Sequence, residues 1–155
     1  MTSGTPPLAA LTDAPLPVPL PELTVTPDHT QLFMFSAVTW NRHHIHYSKD
    51  AAIAEGLPDV VVQRALLGNF MARLLTGWLG RAGELRELSW KVVSSAVPGR
   101  RLRCQGEVVA REGDAGAPRL RCEVRVIDDD GTVIAIGQAR AVLHPVPAPQ
   151  VGTLP

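Results

Sequence analysis

The spacing of apolar residues changes near residue 83, from steps of three and four to alternation. Ahead of that point, "RALLGNFMARLLTGWLG" (64–80) repeats Leu67, Phe70, Met71, Leu74, Leu75 and Trp78 at helical intervals, and Leu66 and Leu79 widen the stripe. Polar residues are scarce on it, so the spacing predicts a mostly buried helix. Beyond Gly83, four segments alternate with period two: 84–97, 101–112, 118–128 and 132–143. In "LRCEVRVI", Leu120, Cys122, Val124 and Val126 point one way and Arg121, Glu123 and Arg125 the other. That alternation predicts an antiparallel sheet with one wet face. Turn signals separate the strands: Pro98-Gly99, "GDAGAP" (113–118) and Asp130-Gly131.

Before the long helix the pattern is denser. "QLFMFSAVTW" (31–40) is short, aromatic and β-branched, and reads as a buried strand. "SKDAAIAEGL" (48–57) reads as one or two helical turns, with Ser48 as N-cap and Gly56 as the stop. "DVVVQ" (59–63) is a short β-prone link. The expected order is strand, short helix, long apolar helix, then a meander of four strands. A sheet wrapped around one buried helix, an α+β arrangement, satisfies that order.

Proline marks the edges. Seven of the 14 prolines precede residue 28 and four follow residue 144. Residues 1–21 are therefore expected to form a Pro-rich extended segment, 22–144 a single domain, and 145–155 a disordered tail. Hydrophobic residues make up 45% of the 155 and charged residues 19%, with Lys+Arg and Asp+Glu both 15. Such a composition folds, and zero net charge gives no general attraction to nucleic acid or an anionic membrane. No apolar run reaches membrane-spanning length, and the N-terminus does not read as a secretory signal. Cys104 and Cys122 read as reduced core residues of a cytoplasmic protein.

The chemistry concentrates in "TWNRHHIHYS" (39–48), which packs three histidines, an asparagine and an arginine between two apolar stretches. Adjacent side chains of extended backbone face opposite ways, so "HHIH" does not aim three rings at one ion, and no metal is expected. Taken alone, a histidine here is more often a hydrogen-bonded turn residue than a reactive group.

Three blocks shift that balance. "W-N-x-H-x-I-H-Y", "GLPDVVVQRALLGN" and "ELSWKVVSSAVPGRRL" together resemble, in order and spacing, the MaoC-like hydratases and dehydratases of acyl thioesters, which have the hot-dog fold. The likeness is to a sub-branch with type 2 hydroxyacyl-thioester dehydratases and itaconyl- and mesaconyl-CoA hydratases. It implies His46 as the catalytic histidine, with Asn41 at the position of the usual Asp and His43 at that of the usual Asn. It further implies that the backbone N–H of Arg64, opening the long helix, faces the thioester carbonyl. The chain departs from the pattern at three points: Asn41 cannot carry a proton, Ser48 stands where an acid is common, and Arg64-Ala65 stand where Gly and often Pro are expected.

The resemblance implies hydration of 2-enoyl thioesters or dehydration of 3-hydroxyacyl thioesters, on coenzyme A or an acyl carrier, without a cofactor. His46 would act as base, Asn41 would fix the water, and the Arg64 N–H would steady the enolate oxygen. His43, Arg42, Gln63, Arg100 and Arg101 would bind substrate, the "RR" pair being the best candidate for its phosphates. A homodimer is implied, or a heterodimer with a paralogue. Two other readings stay open: a catalytically degenerate subunit that binds thioester or pairs with an active paralogue, and a thioesterase on the same fold.

Overall fold

The computed structural model describes residues 14–113 and 118–144. The expected C-terminal tail, the first 13 residues of the N-terminal segment and most of the "GDAGAP" loop lie outside the described residues.

The long helix forms as its spacing predicts. It is α3 (Arg64–Leu79), which buries Leu66, Leu67, Gly68, Phe70, Met71, Leu74, Leu75 and Leu79. Four strands follow: β3 (Gly83–Val92), β4 (Leu102–Glu112), β5 (Arg119–Asp128) and β6 (Val133–Leu143). Leu120, Cys122, Val124 and Val126 of β5 are buried while Arg121, Glu123 and Arg125 are exposed. The inner face of the sheet closes on α3 in one continuous core.

Two short strands precede the helices: β1 (Val18–Pro19) and β2 (Leu23–Val25), both antiparallel to β4. Val18 and Leu20 are buried in the core, so the sheet draws on residues ahead of position 22.

Three expectations need correction. First, residues 31–40 are not a strand but lie almost wholly in α1 (His29–Thr39). Asp28 caps this helix by accepting a hydrogen bond from the Gln31 N–H at 2.7 Å. One face of α1 buries Leu32 and Ser36, while Phe33, Met34 and Val38 stand exposed. Apolar residues all round the helix hide its period. Trp40 ends it in the left-handed region at φ 56°. Second, the four long strands are not a simple meander. The sheet order is β1-β4-β5-β6-β3, so β3 pairs with β6 at one edge and the Pro98-Gly99 connection crosses the sheet. The turn is tied down by the Gly99 N–H, which donates to the Pro27 carbonyl at 2.7 Å. Third, β3 ends at Val92; the Val93 and Ser94 N–H groups still donate to the Ile134 carbonyl of β6, and the chain then departs so that the Ala96 carbonyl accepts from the Val62 N–H.

The stretch 59–63 is a link, as expected, although extended backbone and not a strand. Val60, Val61, Val62 and Gln63 are all buried. It carries the chain from α2 (Lys49–Ala54) into α3 and lies along the histidine segment, where the Val61 N–H donates to the Ile45 carbonyl at 3.0 Å.

Candidate active site

The histidine segment is a single 3₁₀ turn, His44–His46, between α1 and α2. Its fold follows from local polar bonds. The Asn41 N–H donates to the Ser36 carbonyl, and the Asn41 Oδ1 accepts from the His43 N–H at 3.3 Å. Tyr47 donates its hydroxyl to the Arg42 carbonyl at 2.9 Å. Ser48 caps α2 as expected, accepting from the Ala51 N–H. The turn buries one of the three histidines and leaves two outside. His46 is 8% exposed, whereas His43 and His44 face solvent.

The His46 Nδ1 lies 2.7 Å from the Val61 carbonyl oxygen. A carbonyl only accepts, so Nδ1 carries a proton and the neutral ring keeps its lone pair at Nε2. Burial holds the imidazole below its ordinary pKa of 6.5. The Val61 carbonyl opposes this by favouring the charged form, and His43 adds to the lowering. The result is a neutral ring in one fixed tautomer, with its lone pair at Nε2.

His43 stands edge-on to that ring, with centroids 5.9 Å apart and planes at 87°. Its Nε2 is 3.2 Å from Glu55 Oε1, at the end of α2. Glu55 carries no motif in the sequence. No local signal in the sequence marks it, because its place beside His43 depends on the path of the chain through α2.

At the start of α3, the side chain of Gln63 makes no capping bond. Its Nε2 donates instead to the Leu32 carbonyl at 2.7 Å and the Ser36 Oγ at 2.9 Å, fastening α1 to the opening of α3. Gln63 is completely buried, and its Oε1 has no partner among the described residues. The N–H groups of the first helical turn, that of Arg64 first, have no acceptor within the helix. The Arg64 side chain turns toward the edge strand. It donates to the Trp90 carbonyl at 2.9 Å and lies over the Trp90 ring at 5.0 Å, while the Trp90 Nε1 donates back to the Arg64 carbonyl at 2.9 Å.

The remaining candidates lie apart. Arg42 is exposed, 5.7 Å over the Trp40 ring. Arg100 and Arg101 sit across the β5–β6 turn from three aspartates. Arg101 bonds Asp129 at 2.8 Å, while Arg100 bonds Asp130 and approaches Asp128 at 3.7 Å. A phosphate there would compete with carboxylates already in place. The structure thus brings His46, His43, Asn41 and the opening of α3 into one region and leaves the arginine pair engaged elsewhere. A hollow of about 700 Å³ on the polar face of the sheet is lined by residues such as Gln105, Glu123, Arg125 and Gln138, and includes neither His46 nor Arg64. Among the described residues, no three His, Cys, Asp or Glu side chains gather as a metal-holding group, and no helix is long and apolar enough to cross a membrane.

A sheet wrapped around one central helix is the hot-dog arrangement. The chain belongs to the hydroxyacyl-thioester dehydratase type 2 family, whose model matches residues 9–98. It is 43% identical over 68 aligned residues to the mesaconyl-C(4)-CoA hydratase of Chloroflexus aurantiacus, covering 39% of this chain and 24% of that protein. The chain therefore matches about a quarter of that relative's length. Among solved structures it is similar in fold to the (R)-hydratase of A. caviae involved in PHA biosynthesis (TM-score 0.74, 18% identity, 86% of this chain and 98% of that one). It is likewise similar to a chain of the ChsH1–ChsH2 complex of Mycobacterium tuberculosis (0.73, 19%, 84% and 99%). A third is the HadBC (3R)-hydroxyacyl-ACP dehydratase complex of the same organism (0.69, 11%, 81% and 95%).

Proposed function

We propose that this chain is a lyase that adds water to 2-enoyl thioesters, or removes it from 3-hydroxyacyl thioesters, with His46 as its base. The observation that carries the reading is the bond from His46 Nδ1 to the Val61 carbonyl. It fixes the tautomer and leaves the Nε2 lone pair unbonded, while burial keeps the ring neutral, the state a base for water requires. The first N–H groups of α3, with the positive end of the helix dipole behind them, suit the enolate oxygen that develops on the thioester. The Arg64 side chain is drawn onto Trp90, away from its own N–H, so it need not fill the space that glycine leaves open elsewhere in the family.

Family membership supports acyl thioesters of coenzyme A or an acyl carrier as the substrate class. The mesaconyl-CoA relative favours branched or dicarboxylic acyl groups as first substrates to try. A dimer is part of the proposal, either of two copies or with a paralogue. Two of the similar solved structures are described as complexes of two named chains.

A second reading, a degenerate subunit that binds without turnover, draws on Asn41. Its Oδ1 is occupied by the His43 N–H, and it has no proton to exchange. Crotonyl-CoA, mesaconyl-CoA and a free-thiol reagent separate the readings. Loss of the enoyl absorbance with no thiol release supports the hydratase. Thiol release supports a thioesterase, and binding without either change supports the degenerate subunit.

A further inference from the structure

We propose that His43 is the second proton-carrying group of this site and that Glu55 is its positioning residue. The inference rests on the hydratase reading and supplies what that reading lacks. Addition of water needs a base for the water and an acid for the α-carbon. The family pattern puts an aspartate where this chain has Asn41, which cannot give or take a proton.

A carboxylate is nevertheless present, brought in from the far end of α2. Glu55 Oε1 lies 3.2 Å from His43 Nε2, and the His43 ring stands edge-on to His46 at 5.9 Å between centroids. The carboxylate accepts, so His43 carries its proton on Nε2 and exchanges protons at Nδ1. His46 is held the opposite way, with Nδ1–H fixed to Val61 and Nε2 open. Two imidazoles in complementary tautomers, each set by its own acceptor, give the region two distinct exchanging nitrogens. His43 and Glu55 are about half exposed, at 55% and 52% of their side chains. An ion pair so open to solvent contributes little to stability, and solvent can restore the His43 proton after each turnover.

The step balances. The water oxygen bonds to C3 as its proton passes to His46 Nε2. The π pair shifts to C2 through the thioester enolate, and C2 takes the Nδ1 proton of doubly protonated His43. His46 then releases its proton to solvent and His43 regains one, with Nε2–H on Glu55 throughout.

The test uses the full chain with crotonyl-CoA, and with butanoyl-CoA in D2O, whose C2 protons exchange only through an acid–base group at that carbon. His43→Gln and Glu55→Gln are each expected to lower kcat about 100-fold with KM little changed, and to lower C2 exchange in parallel. The double variant should be no slower than His43→Gln, because Glu55 acts only through His43. Thermal unfolding of Glu55→Gln should match the wild type. Full activity of Glu55→Gln, or independent losses that multiply in the double variant, would overturn the proposal. If His46→Ala is inactive while Glu55→Gln is fully active, only this inference fails. A wild type without hydration or C2 exchange overturns both.

Discussion

The imidazole of His46 is tied by Nδ1 to the carbonyl oxygen of Val61 at 2.7 Å, fifteen residues further along the chain. That bond joins the histidine turn to the extended link that leads into α3. The same link therefore positions both the ring and the first N–H groups of the central helix, the proposed base and oxyanion donor. Burial is the larger influence on the ring and holds its pKa below 6.5.

A pH dependence of stability follows. The folded chain prefers the neutral ring, so the contribution of His46 is complete above the unfolded value of 6.5 and is lost as pH falls through the lower folded value. Melting temperatures of wild type and His46→Asn, whose amide can still donate to Val61, should therefore diverge between about pH 7.5 and 5, the wild type falling more steeply. Parallel curves would mean that the ring is not held neutral.

Trp90 and Gly68 define the packing at the opening of α3. A methyl group at Gly68 would overlap the Trp90 ring, whose Nε1 is bonded to the Arg64 carbonyl. Gly68→Ala should destabilise the chain by about 1–3 kcal/mol in urea unfolding. It should also lower hydration activity by displacing the first turn of the helix. An unchanged midpoint would show that the indole has room to move.

Gln63 fastens α1 from within the core. Gln63→Leu removes both donors, to the Leu32 carbonyl and the Ser36 Oγ. A loss of roughly 2 kcal/mol is expected, with faster amide hydrogen exchange across residues 32–40. Slow exchange there in the variant would contradict a fastening role.

Cys104 and Cys122 are free thiols buried in the core, and burial pushes both up to about 12. Neither should react with a thiol reagent in the folded chain at neutral pH, and both should react in denaturant. Rapid labelling of the native chain would show that β4 and β5 open readily.

The central helix and the three strands that follow β3 were legible in the sequence because each buries one face, so the period survives. Helix α1 was not. Its outward residues Phe33, Met34 and Val38 are as apolar as the inward Leu32, and an aromatic, β-branched run then mimics a strand. The local signal for the helix is Asp28, three residues before Gln31, whose side chain caps it. Within the candidate site, the polar histidine turn between two apolar stretches could be read from its segment. Glu55 could not, because its place beside His43 depends on how α2 returns. The ion pairs of Arg100 and Arg101 depend on the β4–β5 register, which sets Leu102 opposite Asp128 and brings "RR" against the aspartates that follow.

The most direct test of the central claim is the hydration rate of one enoyl-CoA, chosen from crotonyl- and mesaconyl-CoA, by wild type and His46→Ala at matched fold stability. A fall of roughly 100- to 10,000-fold in kcat is expected for removal of the base. An unchanged rate would take His46 out of the chemistry and contradict the account.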